Sequence, residues 1–285
     1  MKLATIEFAG KTGIAMVRED GVVRLDNVAP DMQTLIQAGE PHWDSARWMG
    51  QSARETIPLD QVRLLAPIPR PRKNIFALGR NYAEHAKEAA NARSELAGAP
   101  TIFSKPPTTV NSPFGNLVVD PDVSLQVDWE VELAVIIGKR ARKINRINAL
   151  DYVFGYTVLN DVSARDLQTR TSQFFIGKSV DGYCPMGPWI VTADEIGDPQ
   201  NLDLTCRVNG IVKQTGNTRE MIYTVAYMIE DLSRVLTLEP GDILTTGTPA
   251  GVGFARKPPE FLQPGDVLES EIEKIGVIRN PVVGV

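Results

Sequence analysis

Pro67, Pro69 and Pro71 fall within five residues of the run Ala66-Pro67-Ile68-Pro69-Arg70-Pro71-Arg72. Each proline fixes φ near −65° and removes a backbone donor, so neither a helix nor a central strand crosses this run. The chain must pass it extended, and the run is read as a boundary. Residues 1–70 then form a small N-terminal domain rich in strands, and residues 71–285 a larger domain. At 285 residues the chain is long enough for both.

Alternation over Lys2 to Phe8 and Gly13 to Val17 predicts strands, and Val22 to Leu25 follows a glycine turn. A helix is expected over Asp31 to Ala38. Beyond the prolines strand signals dominate: Ile75 to Leu78, Thr101 to Phe103, Val127 to Ile137 and Val153 to Leu159. Helices are expected from about Tyr82 to Leu96, from Ser163 to Arg170 and from Thr218 to Leu236. The class is α+β and β-rich. Pro240-Gly241 and Pro264-Gly265 sit in matching contexts and predict two type II turns within one sheet system.

Thirty basic against 35 acidic residues give a net charge of −5, a poor match to nucleic acid or an anionic membrane. No stretch approaches the ~18 apolar residues of a membrane helix. Glu7 arrives too early for a secretory leader. With only Cys184 and Cys206 there is no disulfide framework, which fits a reducing cytoplasm. Two cysteines and two histidines also disfavour a thiolate zinc site, so any metal must be held mainly by carboxylates.

The chemistry concentrates in five places. In a strand, residues i and i+2 share a face, so Glu130 and Glu132 stand side by side, with Ala134 and Ile136 continuing that face. The plainer alternative is a polar strand face in water. An open acidic end on a covered face would instead suit a cation between repelling carboxylates. Asp161 lies where a strand gives way to a helix. Ser163 and Asp166 form a capping-box pattern there, which leaves Asp161 able to point elsewhere. Three carboxylates suit Mg²⁺ or Mn²⁺, which take oxygen ligands. His85 and Glu88 are three apart, so on a helix they share a face as a base and its orienting acid, or form a solvated surface pair. Gly177-Lys178-Ser179 is not a phosphate loop, since position 172 is Ser where that loop needs Gly. Lys178 could offset carboxylate charge or donate to an oxyanion. Finally, Thr246-Gly247-Thr248-Pro249 leads a strand into a glycine-rich loop able to cradle an anion.

Taken in order, Gly79-Arg80-Asn81-Tyr82 with His85 and Glu88, Glu130-x-Glu132, Asn160 to Asp166, Gly177-Lys178-Ser179 and Thr246 to Pro249 closely resemble the fumarylacetoacetate hydrolase superfamily, across Asn74 to Val285. The resemblance implies a mixed β-roll catalytic domain, usually a homodimer. It implies Mg²⁺ or Mn²⁺ held by Glu130, Glu132 and Asp161. It implies a His85–Glu88 pair on a closing segment, roughly Asn81 to Gly98. Lys178 would be catalytic, and Arg80, Tyr82, Arg165, Gln168 and Thr248 would bind substrate, with Lys178 and Thr248 holding oxyanions. The activity this implies is hydrolysis of a carbon–carbon bond in a 2,4-diketo acid, giving a pyruvate-type product and a carboxylic acid. Decarboxylation of an oxaloacetate-like acid, or isomerisation of a 2-hydroxy-dienoate, is the alternative. A non-catalytic ligand-binding member would be expected to lack the pair or a ligand, and all are present.

Overall fold

The computed structural model describes residues 1–89 and 99–285, with the side chains of residues 87–89 left undescribed. Its centre is an eleven-stranded mixed sheet. The order runs Gly21–Arg24, Lys11–Arg18, Lys2–Phe8, Cys184–Thr192, Val153–Asn160, Val131–Ile137, Ile243–Thr245, Ile75–Gly79, Thr101–Lys105, with two short strands off this path. Lys2 pairs with Val191 and Leu3 with Ile190, so the first strands and the later ones share one sheet.

Strand Val131–Ile137 shows why the sheet holds. Every residue in it is buried. Val131, Leu133, Val135 and Ile137 enter one core, with Val225, Met228, Ile229 and Leu232 of helix Val225–Val235. Ala134 and Ile136 enter another, with Leu35, Ile36 and Ala46 of helices Met32–Ala38 and Glu40–Ser52. Period-two alternation thus serves two apolar layers. Ala134 and Ile136 thus form the covered end of the glutamate face, as expected, and N-terminal strands and helices are what cover it.

A second sheet of five strands has the order Ile211–Asn217, Asp203–Val208, Val267–Ile272, Gly276–Gly284, Leu117–Val119. Its Leu204, Leu268 and Ile278 join the first core. Both Pro-Gly turns form. Gly241 and Gly265 have φ of 91° and 99°, and Asp242 N and Asp266 N donate to the carbonyls of Glu239 and Gln263. They serve different sheets, however, since Ile243–Thr245 lies in the large sheet and Val267–Ile272 in the small one.

Two helices are shorter than expected. Thr224 caps Val225–Val235 by accepting from Tyr227 N, so the helix starts there and not at Thr218. Only Arg165–Gln168 is helical in the Ser163 to Arg170 stretch, because Ser163 and Ala164 pair with Asp128 and Val127 as strand. Among the described residues no helix is long and apolar enough to cross a membrane.

Candidate active site

Glu130 and Asp161 meet because two backbone segments are laced together. Val131 pairs with Asn160. Asp161 N donates to Glu130 O at 2.8 Å, and Glu130 N donates to the Asn160 side-chain oxygen at 3.0 Å. Glu132 follows two residues along the same face. The result is a buried cluster in which one carboxylate oxygen from each of Glu130, Glu132 and Asp161 lies within 4.8 Å of the others. Asp161 reaches it without the expected capping box. Ser163 Oγ donates to Asp161 O, and the short helix has Ala164 at its N-cap with no side-chain bond.

Each carboxylate is held from behind. Glu132 Oε2 accepts from Gly247 N at 2.8 Å and from Thr245 Oγ1. Gly247 has φ of 85°, and a Cβ there would meet Asn81 Cβ at 2.8 Å, so only glycine brings this N–H so close. Lys178 Nζ lies 2.7 Å from both Glu130 Oε2 and Asp161 Oδ2. Lys105 Nζ pairs with Asp161 Oδ1 at 2.7 Å, without hydrogen-bond alignment, and donates to Lys178 O. Arg165 spends its guanidinium on Asp128, Glu130 and Gln168 Oε1.

The electrostatics follow from this wiring. Burial alone would raise the Glu130 pKa, but Lys178, Arg165 and His85 outweigh it and hold the group below the usual carboxylate range. Glu132 goes well above that range, through burial first and then repulsion from Asp161 and Glu130. Burial disfavours charged Lys178, yet Asp161 and Glu130 raise its pKa. Four buried carboxylates (Asp128, Glu130, Glu132, Asp161) thus face three buried cations (Lys105, Arg165, Lys178). An all-oxygen donor set in which neighbouring carboxylates disfavour the charged form of Glu132 fits a hard divalent cation.

Glu130 and Glu132 of the cluster floor a cavity of about 630 Å³ whose walls include Arg80, His85, Arg165, Gln168, Lys178 and Thr248. Those expected residues are therefore brought together. Two of the expected substrate-binding residues have placements of their own. Tyr82 is not in the cavity wall; it is buried in the main core. Thr248 Oγ1 donates to Val131 O and accepts from Gln214 Nε2, so its hydroxyl proton is already engaged inside the protein. His85 sits on helix Ala83–Ala89. The side chain of Glu88 and residues 90–98 of the expected closing segment lie outside the described residues.

Sequence reasoning missed four structural partners. Asp128 is wholly buried and accepts from Gly253 N, Trp129 N, Phe254 N and Arg165. It fastens the glycine-rich loop to the acidic strand. Gly253 permits this, since a Cβ there would meet Glu260 O at 2.1 Å. Lys105 is the second missed residue. Asn81 is the third, binding Tyr223 N and O and Thr246 O. Gln214 is the fourth, joining Val131 N to Thr248 and Pro249. The one readable hint was Asp128, two residues before Glu130.

Residues 74–283 match the family model described as fumarylacetoacetate (FAA) hydrolase C-terminal. The chain is 45% identical over 268 residues to "Oxaloacetate tautomerase Fahd2a, mitochondrial" of Rattus norvegicus, covering 92% of this chain and 84% of that protein. It is 38% identical to "Oxaloacetate tautomerase YisK" of Bacillus subtilis, covering 99% of this chain and 100% of that one. Among solved structures, maleylpyruvate hydrolase from Sphingobium sp. SYK-6, in complex with manganese (II) ion and pyruvate, superposes with a TM-score of 0.82. It is 32% identical and covers 100% of this chain and 99% of that one.

Proposed function

The chain belongs to the fumarylacetoacetate hydrolase family, and we propose that within it this enzyme interconverts the keto and enol forms of oxaloacetate or a near relative. The observation that carries the proposal is that His85, Glu130 and Glu132 line one cavity, with Asp161 clustered against the two glutamates. That is the equipment for enolising a 2-oxo acid. The choice of tautomerisation over carbon–carbon hydrolysis, the reaction first expected, is supported by the near full-length similarity to two proteins named oxaloacetate tautomerases.

Glu130, Glu132 and Asp161 would hold Mg²⁺ or Mn²⁺, which when bound supplies Lewis-acid stabilisation of enolate charge on the 2-oxo oxygen. His85 takes the proton from C3 as the C3–H electron pair forms the C2=C3 double bond and the C2=O π pair moves to the oxygen, and the protonated His85 then returns that proton to the oxygen. No other bond breaks and no water is consumed. Arg165 holds Glu130 in place. Lys178, tied to Glu130 and Asp161, keeps a positive charge at the floor of the cavity. The homodimer implied by the family resemblance is part of this reading, and light scattering checks it.

The test follows enol-oxaloacetate absorbance with metal-stripped and Mn²⁺- or Mg²⁺-loaded protein, beside acylpyruvate cleavage and CO₂ release. Metal-dependent acceleration of ketonisation is expected. Cleavage of an acylpyruvate without that acceleration overturns the proposal in favour of the hydrolase. Release of CO₂ without it favours the decarboxylase.

A further inference from the structure

Asn81 is wholly buried, and its side chain bonds to two distant segments. Its Nδ2 donates to Thr246 O at 2.8 Å and to Tyr223 O at 2.9 Å, and its Oδ1 accepts from Tyr223 N at 2.7 Å. Both donor contacts are to carbonyls and the acceptor contact is to an N–H, so a flipped carboxamide would lose all three bonds.

The bond to Thr246 O matters because of what lies across that peptide group. The Thr246 carbonyl and the Gly247 N–H belong to one planar amide. Gly247 N donates to Glu132 Oε2 at 2.8 Å. A line of hydrogen bonds therefore runs from the Asn81 carboxamide, through a single peptide group, to a carboxylate of the acidic cluster. A donor on the carbonyl oxygen polarises the amide and strengthens the bond its N–H makes. The loop has little freedom to rearrange. Thr246 N and Oγ1 both donate to Leu133 O, and a Cβ on Gly247 would meet Asn81 Cβ at 2.8 Å.

Asn81 also stands at the root of the helix that carries His85. The chain leaves strand Ile75–Gly79, turns at Arg80 with φ of 58°, and enters helix Ala83–Ala89 after Tyr82. Asn81 and Tyr82 are strapped to the segment before helix Val225–Val235. Ile222 N donates to Asn81 O at 2.7 Å, and Tyr82 pairs with Met221. Ala86 N then donates to Tyr82 O at 2.8 Å and closes the first turn around His85. One residue thus orients the donor to Glu132 and fixes the start of the helix bearing the proposed base.

We infer that Asn81 is a positioning residue that couples the two halves of the site. A shift of Glu132 on taking a cation passes through the Thr246–Gly247 peptide to the root of the His85 helix, so cation binding and the seating of His85 favour one another. The inference rests on reading the acidic cluster as the cation site and His85 as the base, and it supplies the link between them. The coupling is reciprocal: a cation that steadies the helix is itself held more tightly when the helix is seated.

The experiment follows amide hydrogen exchange by mass spectrometry, with and without saturating Mn²⁺, in wild type, Asn81→Asp and Asn81→Ala, beside calorimetric Mn²⁺ titration. Asn81→Asp keeps the shape but sets a carboxylate oxygen against the acceptors Thr246 O and Tyr223 O. Asn81→Ala removes the side chain and leaves the backbone bond from Ile222 N. In wild type, Mn²⁺ should slow exchange at residues 246–248 and also at residues 82–86. Both variants should bind Mn²⁺ about 10–100-fold more weakly, the loss typical of a partner behind a ligand. Once saturated they should still protect residues 246–248 but no longer residues 82–86. Exchange across strand Val131–Ile137 should match wild type, which separates the effect from general loosening. In turnover at saturating Mn²⁺, kcat should fall with KM largely kept, as for a displaced base. Variants that keep the wild-type Mn²⁺ affinity, or the Mn²⁺ response at residues 82–86, overturn the inference. So does a wild type whose residues 82–86 ignore Mn²⁺, even if neither variant folds. Coupling without any tautomerisation would overturn the proposed reaction and leave the link standing.

Discussion

The Lys178 ammonium donates to the Asp161 carboxylate at 2.7 Å with both groups buried. A second bond of the same length to Glu130 makes Lys178 the cation that binds two of the three clustered acids together. Removing one partner of a buried pair leaves charge uncompensated, at a cost of about 3–5 kcal/mol. Metal-stripped Lys178→Met should therefore unfold at a clearly lower temperature than stripped wild type. Added Mn²⁺ returns positive charge to the same acids, so it should raise the melting temperature more in the variant. Equal Mn²⁺-induced shifts in the two proteins would sink this account of Lys178.

Glu132 is in the opposite position. Burial, then Asp161 and Glu130, push its pKa up, so its negative charge is costly in the absence of a metal. Glu132→Gln keeps the shape and can still accept from Gly247 N and Thr245 Oγ1. The stripped variant should be at least as stable as stripped wild type, while Mn²⁺ affinity drops by more than about 100-fold, beyond the loss typical of an outer-shell partner. Calorimetric titration with Mn²⁺ and a thermal melt separate the two effects. Wild-type Mn²⁺ affinity in the variant would remove Glu132 from the ligand set.

The parts of this site that the sequence made legible are those set by local geometry. The expected strand Val127 to Ile137 is interrupted at Trp129 and Glu130, because Val127–Asp128 pairs with Ser163–Ala164. Glu130, just ahead of Val131–Ile137, still reaches the same cluster as Glu132, and Gly241 and Gly265 take positive φ because Pro-Gly turns require it. What stayed hidden depends on pairing between distant segments. Asp161 joins the cluster through the Val131–Asn160 register, not through the cap of its own helix. Lys105 reaches Asp161 because strand Thr101–Lys105 closes the edge of the large sheet beside Ile75–Gly79. Ala134 and Ile136 mark the covered end of the acidic face, but the strand itself cannot show that N-terminal residues such as Leu3 and Ile14 are what cover it. The family resemblance implies a substrate contact at Tyr82, but its side chain is packed in the core.

His85 lines the cavity and influences Glu130 electrostatically, yet it is not one of the clustered oxygen ligands. A proton-transfer role and a ligand role therefore separate by measurement. His85→Ala should lower kcat for enol-oxaloacetate ketonisation by about 10²–10⁴, the usual contribution of a positioned acid–base group. Mn²⁺ affinity should not change. Unchanged turnover would exclude His85 as the base, and a parallel fall in Mn²⁺ affinity would show that it acts on the metal site.

Asp128 touches none of the three cluster carboxylates directly, but Arg165 links it to Glu130 at 2.7 Å. Its Oδ1 accepts from Gly253 N and Trp129 N, and its Oδ2 from Phe254 N and Arg165 Nε. Both oxygens act only as acceptors, so Asp128→Asn must turn an NH₂ toward two donors whichever way it rotates. The variant should release the Gly251–Phe254 loop, to whose first carbonyl Trp129 Nε1 donates, and let Arg165 drift from Glu130. Trp129 fluorescence reads the first effect and Mn²⁺ titration the second, with a loss of about 10–100-fold expected for a partner one step behind a ligand. A shifted Trp129 signal with unchanged Mn²⁺ affinity would mean that Asp128 serves the loop alone. Loss of both would establish that the glycine-rich loop and the acidic cluster are held by one carboxylate.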